Sequence, residues 1–373
     1  MGEVHMKIDS LDLFLIKNPL IEKFETAYGS DDSIYSVIAC MHSGKSEGWS
    51  EASPLLAPTY SPESAASVFN TVKDFLAPAI VGHDFSDAHE INRAMSVYKG
   101  NPFAKSVIEI AWWALESKLK NLPLHSILGG TYEKIPVGAD LGVQDTIDIL
   151  IEKIDKAVNA GFPRVKLKVK PGWDIDVLKA VCTTFPAQIF HIDCNSGYTL
   201  DDLHLFREID KFGLAMIEQP LFHTDIVDHA KLAKRLETPI CLDESINSTF
   251  SARQAIELGA CRYINLKVGR LGGLQNCIDV NMMSKNAGIG CWIGGMLETS
   301  IGAGICAELA TIGNITYPSD IFPSDRFYNT ELSANRMELA GPGYMLPSMT
   351  PGNTYVPDPE ILKSRTIKRE SYG

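Results

Sequence analysis

The sequence lacks the features that would take the chain into a membrane or onto a nucleic acid. No apolar run approaches the roughly 18 residues of a membrane-spanning helix, and the N-terminal segment lacks the pattern of a signal peptide. There is no run of Lys and Arg, and the net charge is −12. These absences exclude the basic footprint of nucleic-acid binding and the basic face of membrane-surface helices. We expect a cytoplasmic protein that binds neither nucleic acid nor membrane.

The cysteines and histidines have no metal-binding spacing along the chain. The 8 cysteines form no CxxC pair, and the 9 histidines form no HExxH pair. Most cysteines stand in apolar surroundings, which is typical of reduced, buried thiols rather than of a disulfide framework or a zinc site. With 373 residues, the chain can bury a large core and needs no metal or disulfide merely to fold.

The chain divides into two regimes of secondary structure. In the first third, short apolar or alternating runs lie at Leu11–Lys17, at Ile34–His42 and around Trp49, followed by helical patterns at Pro62–Ile80 and Pro102–Leu119. Strands followed by helices predict an α+β domain. Over most of the remaining chain, short apolar runs alternate with helical stretches. This alternation predicts a parallel sheet that is buried on both faces.

Five of the later apolar runs end in an ionisable residue. These residues are Lys168, Asp193, Glu218, Asp243 and Lys267, at spacings of 25, 25, 25 and 24. A period near 25 corresponds to one strand, one helix and two turns, and repeated units of this kind build a (β/α)₈ barrel. The carboxyl ends of the strands form the active-site face of such a barrel. We therefore expect the five ionisable groups to converge there.

The three acids in the middle of this series predict a metal site. Ionised carboxylates that share a pocket repel one another unless a cation binds them. Carboxylate ligands without His or Cys favour Mg²⁺, or Mn²⁺, over Zn²⁺. We therefore expect Asp193, Glu218 and Asp243 to be the metal ligands. Asn195 either supports this group or forms the turn after its strand.

Lysines flank the acids at both ends of the series. Strand order places Lys168 and Lys267 on opposite walls of the barrel, and Lys166 on the same strand face as Lys168. A cation that binds a substrate carboxylate stabilises the enediolate formed when the α-proton leaves. A lysine beside other cations has a lowered pKa and can act as a base. The pattern predicts proton abstraction α to the carboxylate of a small-molecule substrate.

The sequence resembles the muconate-lactonising-enzyme subgroup of the enolase superfamily. The motifs are Lys166-Leu167-Lys168, Asp193-Cys194-Asn195, Glu218-Gln219-Pro220, Asp243-Glu244-Ser245 and Leu266-Lys267. The resemblance implies an α/β fold with a (β/α)₇β-type TIM barrel over residues 131–320. It also implies an α+β capping domain, formed by residues 1–130 and by a C-terminal segment, 321–373, that returns to it. A homo-oligomer is implied as well.

Within this subgroup, the chain resembles the o-succinylbenzoate synthase / N-succinylamino acid racemase branch. The resemblance implies that Arg270 tunes the second lysine. Gly294-Gly295-Met296 stands where dipeptide epimerases carry an Asp-x-Asp, which disfavours an epimerase and predicts backbone N–H groups that bind an acyl or anionic group. Glu298 either positions substrate or adds negative charge at a helix N-terminus. Two cap loops, one with Tyr28 and one at Leu55–Tyr60, are predicted to close over the site.

The branch implies two reactions that share one intermediate. One is dehydration of 2-succinyl-6-hydroxy-2,4-cyclohexadiene-1-carboxylate in menaquinone synthesis, and the other is racemisation of N-succinylamino acids; one site could perform both. Another muconate-cycloisomerase-like activity stays open. A Schiff-base aldolase could use Lys267, but it would not need three carboxylates in register. A non-catalytic barrel that binds a metal or a small acid would not require both lysines.

Overall fold

Strands and helices alternate along most of the chain in the computed structural model, which describes residues 6–26 and 29–373. The strands are β1 Met6–Lys7, β2 Ser10–Thr26, β3 Gly29–Ser43, β4 Ser46–Ala52, β5 Asp84–Phe85, β6 Ile135–Pro136, β7 Ala139–Leu141, β8 Arg164–Lys168, β9 Ile189–Asp193, β10 Ile217–Glu218, β11 Ile240–Leu242, β12 Tyr263–Leu266, β13 Gly290–Ile293, β14 Tyr344–Met345 and β15 Thr366–Tyr372. The helices are α1 Ala65–Thr71, α2 Ala77–Ile80, α3 Ala88–Met95, α4 Pro102–Lys120, α5 Leu124–Ile127, α6 Ile147–Asn159, α7 Ile175–Thr184, α8 Leu203–Ile209, α9 Val227–Ala233, α10 Thr249–Leu258, α11 Val268–Leu271, α12 Leu274–Asn286, α13 Ser300–Leu309 and α14 Pro359–Arg365. None of these helices is long and apolar enough to cross a membrane.

The cap is built around a four-stranded antiparallel sheet in the order β15-β2-β3-β4. One face carries alternating apolar side chains of β2 and β3, among them Leu13 and Val37, that pack against α1 and α4 in a single buried cluster. The last strand, β15, pairs with β2, with Tyr372 opposite Leu11. The C-terminal strand therefore lies in the same sheet as β2 to β4, and the predicted α+β cap contains this antiparallel sheet.

Seven parallel strands, β7 to β13 in chain order, form the barrel sheet in the described part of the chain. Residues 315–319 occupy the eighth position, because Ile315 bridges to Cys291 on β13 and Ser319 bridges to Val137 just before β7. Pro318 lies inside this segment and has no N–H to donate, which explains why isolated bridges replace a continuous ladder. The predicted (β/α)₇β-type barrel with an α+β cap is confirmed.

Two buried glutamates of the cap fasten it to the barrel. Glu51 of β4 accepts hydrogen bonds from two backbone N–H groups at the start of α13. Glu109 of α4 accepts hydrogen bonds from two backbone N–H groups at the start of α12. The first turn of a helix carries unpaired donors and partial positive charge, so a carboxylate is stabilised there. Both contacts fix the position of the cap above the barrel strands.

The N-terminus of α4 is capped by a side chain that is distant in the sequence. Asn101 stands at the cap position and Pro102 is the first helical residue, as the local pattern predicts. However, Asn101 has φ 54°, and its side chain makes no capping hydrogen bond. The carboxylate of Glu63 instead accepts hydrogen bonds from the N–H groups of Phe103 at 2.8 Å and Ala104 at 3.0 Å. A local sequence pattern cannot reveal a capping side chain that is distant in the chain.

Candidate active site

The carboxyl ends of β8 to β12 bring the five ionisable residues together. Lys168, Asp193 and Glu218 are the last residues of their strands, and Asp243 and Lys267 directly follow theirs. The parallel register pairs Lys168 with Asp193, and Asp193 with Glu218. All five side chains are buried. The five residues that recur with a period near 25 in the sequence thus form one group of charges at the mouth of the barrel.

Each of the two lysines lies against an outer carboxylate of this group. Lys168 Nζ is 2.6 Å from Asp193 Oδ2, and Lys267 Nζ is 3.0 Å from Asp243 Oδ2. The side-chain oxygen of Asn195 accepts a further hydrogen bond from Lys168 at 3.1 Å. Because β8 and β12 are separated by three strands in the closed ring, the lysines approach from opposite sides. A substrate between them could exchange a proton on either side.

Glu218 lies between the two ion pairs, and the surroundings of its carboxylate oxygens show whether this group of residues suits a divalent cation. Its Oε1 accepts a hydrogen bond from Asn265 at 2.6 Å, whereas its buried Oε2 has longer contacts, with His191 Nε2 at 3.5 Å and Lys166 Nζ at 3.9 Å. An oxygen left in this way, between two neighbouring carboxylates, fits the all-oxygen ligand set that Mg²⁺ prefers. The ligand oxygens of Asp193, Glu218 and Asp243 do not all lie within 4.8 Å of one another. Joint ligation therefore requires side chains of this group to move closer together.

Lys166 is fixed by two acids that the sequence analysis missed. Its Nζ pairs with Asp320 and lies 3.2 Å from Asp140 Oδ2. Burial alone would lower the pKa of Lys166, but the surrounding carboxylates, Asp140 and Asp320 foremost, raise it well above its usual value. Lys166 therefore remains a cation. Asp320 follows the segment in the eighth position, 27 residues after the end of β13, so a spacing close to the repeat was the available signal.

Arg270 and Tyr60 surround the second lysine and its carboxylate. Arg270 forms an ion pair with Asp243 and donates a hydrogen bond to Tyr60 Oη at 2.9 Å. Tyr60, from a cap loop, donates to Asp243 Oδ1 at 3.0 Å, and its ring centroid lies 4.4 Å from Lys267 Nζ. This cap loop therefore contacts the barrel at the second lysine. Tyr28, on the other loop predicted to close the site, lies outside the described residues.

A cavity of about 250 Å³ opens between the cap loop and the loops that follow β9, β10 and β11. Its walls include Tyr60, Asn195, His223 and Glu244. Asn195 donates a hydrogen bond to Glu244 Oε1 at 3.2 Å, and burial raises the pKa of Glu244 to about 7. Asn195 thus joins this cavity to Lys168. A larger cavity of about 620 Å³ lies beside α6, and none of the five ionisable residues lines it.

The loop after β13 differs from the prediction of a substrate-binding backbone. The N–H of Gly294 donates to the carbonyl of Leu266, and the N–H of Met296 donates to Glu298 Oε2 at 2.7 Å. Both groups are therefore engaged within the protein rather than offered to an acyl group. Burial raises the pKa of Glu298 to about 7. Glu51, rather than Glu298, supplies the negative charge at the start of the next helix.

Comparison with known protein families identifies the class that this fold and site define. The model for "Mandelate racemase / muconate lactonizing enzyme, N-terminal domain" matches residues 16–129, and the "Enolase C-terminal domain-like" model matches residues 150–361. The chain is an enzyme that belongs to the enolase superfamily, as its motifs predicted. Members of this superfamily are generally Mg²⁺-dependent.

The similar proteins narrow the comparison to one branch. The N-succinylamino acid racemase of Thermus thermophilus is 36% identical over 333 residues, which cover 89% of this chain and 90% of the racemase. The o-succinylbenzoate synthase of Bacillus subtilis is 34% identical over 357 residues, which cover 96% of this chain and 95% of the synthase. A solved enolase-superfamily structure from Listeria innocua matches with a TM-score of 0.94 at 33% identity and covers 98% of this chain and 99% of that chain. The predicted branch is confirmed.

Proposed function

We propose that this enzyme is an o-succinylbenzoate synthase that dehydrates 2-succinyl-6-hydroxy-2,4-cyclohexadiene-1-carboxylate in menaquinone synthesis. The observation that carries this proposal is the placement of one lysine on each side of three buried carboxylates at the barrel mouth. Relatives named o-succinylbenzoate synthase, at 34, 37 and 39% identity, support this choice of reaction.

The lysines divide the proton chemistry between them. Lys168 removes the α-proton, and its ammonium form then assists departure of the hydroxyl group from the same side. Lys267 remains a cation on the opposite side, where Arg270 shares its partner Asp243. Asn195 orients the Lys168 ammonium. Lys166 supports Lys168 as a fixed second positive charge.

The three carboxylates are assigned to a resident cation. Asp193, Glu218 and Asp243 would hold Mg²⁺, with Mn²⁺ as a possible substitute, because all their donor atoms are carboxylate oxygens. When bound, the cation supplies positive charge that stabilises the developing negative charge on the substrate carboxylate. The buried Oε2 of Glu218, whose contacts with His191 and Lys166 are 3.5 and 3.9 Å long, supports this assignment.

A second reaction, racemisation of N-succinylamino acids, is favoured by the same opposed lysines. Removal of a proton on one side and return of a proton on the other requires a base and an acid on opposite sides. Lys168 and Lys267 meet this requirement, and the 36% identical relative is named N-succinylamino acid racemase. We propose that one site performs both reactions.

The substrate and its setting complete the proposal. We assign to substrate contact the loop residues Gly294, Gly295, Met296 and Glu298, together with Tyr28 of the cap. Since two of the loop N–H groups are engaged within the protein, contact through this loop would use the Met296 side chain and the Glu298 carboxyl group. A homo-oligomer in the cytoplasm that acts on a small carboxylate is proposed from the family resemblance.

Parallel rate measurements on the two substrates test the proposed function. The cyclohexadiene hydroxy acid and an N-succinylamino acid are supplied separately with Mg²⁺. We expect dehydration in the first case, loss of both activities in Lys168→Ala, and full activity in the exposed control Lys179→Ala. Reductive trapping of a carbonyl substrate on Lys267, with full activity in chelator, would instead support the aldolase.

A further inference from the structure

A second group of metal-binding side chains lies on the cap sheet, on strands that contribute nothing to the barrel mouth. Cys40 and His42 are two residues apart on β3 and therefore point to the same face. The antiparallel register places Asp12 of β2 opposite Cys40, and Glu47 of β4 opposite His42. Directly opposed residues have Cβ atoms about 4.5–5.5 Å apart and share a face. The sheet thus gathers one thiol, one imidazole and two carboxylates.

The donor atoms of this group are already close to one another. Ligand atoms of Cys40, His42 and Glu47 all lie within 4.8 Å of one another, and this is the one such trio found among the described residues. Cys40 Sγ is 3.9 Å from Glu47 Oε2, and His42 Nε2 is 3.2 Å from Asp12 Oδ2. Tetrahedral Zn²⁺, with bonds of about 2.0–2.3 Å, separates its ligand atoms by roughly 3.3–3.6 Å. Small side-chain rotations would therefore close the trio of Cys40, His42 and Glu47 around one ion, and Asp12, in contact with His42, lies beside them as the fourth candidate ligand.

Neighbouring side chains orient the two carboxylates toward the cluster. Trp49 Nε1 donates to the Oε1 atom of Glu47 at 3.0 Å, which leaves Oε2 directed at Cys40. Arg369 and Ser371 of β15 both donate to the Oδ1 atom of Asp12, which leaves Oδ2 directed at His42. Such outer hydrogen bonds are characteristic of metal sites, where they fix the ligands.

Exposure differs between the two β3 residues of the cluster. Cys40 is 1% exposed, whereas the His42 side chain is 30% exposed. An ion could enter from the His42 side and bind against the buried sulfur.

We propose that Asp12, Cys40, His42 and Glu47 form a site for one divalent cation of the Zn²⁺ class, separate from the carboxylates of the barrel. Thiolate and imidazole ligands select Zn²⁺ over Mg²⁺. The ligands come from β2, β3 and β4, and Asp12 also contacts β15, so the ion ties together all four strands of the cap sheet. The ion has a structural role. The site is not recognisable from the sequence because no two of its ligands follow a known metal-binding spacing.

Cobalt binding in excess Mg²⁺ tests this site directly. Excess Mg²⁺ is supplied to saturate the proposed carboxylate ligands of the barrel, and Co²⁺ reports a thiolate ligand through a near-ultraviolet charge-transfer band. We expect one Co²⁺ per chain with this band in the unmodified protein, and the same in Cys182→Ser, which alters a partly buried thiol on α7. The band disappears in Cys40→Ser and weakens in His42→Gln.

Two further measurements keep the proposal open to refutation if Cys40→Ser folds poorly. Glu47→Gln alters an exposed ligand, retains the thiol and should weaken Co²⁺ binding by about tenfold or more. Zn²⁺ added in excess Mg²⁺ should raise the Tm of the unmodified protein but not that of His42→Gln. No charge-transfer band in the unmodified protein, or unchanged Co²⁺ affinity in Glu47→Gln, would overturn the proposal.

Discussion

Replacing Asp320 with Asn should test how the interior charges of the barrel stabilise the fold. Asp320 is 2% exposed, and its carboxylate pairs with both Arg164 and Lys166. Asn keeps the shape but leaves two buried cations with less compensating charge. Breaking a buried ion pair in this way costs about 3–5 kcal/mol. Lys166 keeps Asp140 at 3.2 Å, so we expect a loss near 3 kcal/mol.

Urea unfolding of the variant measures this loss as a lower midpoint at an unchanged slope. The matched control is Asp325→Asn, an exposed residue of the same segment, which should change the unfolding free energy by no more than about 0.5 kcal/mol. Adding Lys166→Met should recover part of the loss, because the pair interacts by about 0.5–3 kcal/mol. A loss below about 1 kcal/mol, or strict additivity, would refute the reasoning.

Three further predictions concern pH, the joint between cap and barrel, and the metal. Burial lowers the pKa of His191 from 6.5 to about 4, so between these pH values the unfolded chain binds more protons than the folded one. The free energy of unfolding should therefore fall by up to about 3 kcal/mol as the pH is lowered from about 6.5 to about 4. His191→Gln should lack this pH dependence. Glu51→Gln should lower the unfolding free energy by about 1–3 kcal/mol, because buried donors of α13 lose a charged acceptor; an unchanged urea midpoint would contradict this. EDTA should abolish turnover and Mg²⁺ should restore it, whereas chelator-resistant turnover would contradict the metal assignment.

Strand periodicity was sufficient to predict the barrel and five charged residues of its mouth. The strand ends recur at a nearly constant interval because each repeat is one strand and one helix. This interval can be recognised in one sequence alone. The eighth position was harder to recognise. Residues 315–319 form only isolated bridges and contain Pro318, so they lack the apolar run of a strand. Asp320 was missed with them.

Partners across the ring could not be predicted from the chain alone. The local sequence places Lys166 on the same strand face as Lys168. However, its shortest contacts are with Asp140 and Asp320 on other segments. Likewise, the glycines near Met296 suggest free N–H groups, but Glu298 accepts the hydrogen bond of Met296. The contacts of Lys166 depend on which side chains the closed barrel brings together, and the contact of Met296 depends on the local fold of its loop. Strand spacing can indicate where a residue lies but does not specify its partner.

Deuterium exchange at the α-carbon most directly tests the central claim, that lysines flanking a carboxylate metal site abstract a proton α to a carboxylate. An N-succinylamino acid is incubated in D₂O with the enzyme and Mg²⁺, and isotope incorporation is followed by NMR. The account predicts incorporation by the unmodified enzyme, and none in EDTA or when Lys168→Ala is combined with Lys267→Ala. Undiminished incorporation in that double variant, or in EDTA, would contradict the account.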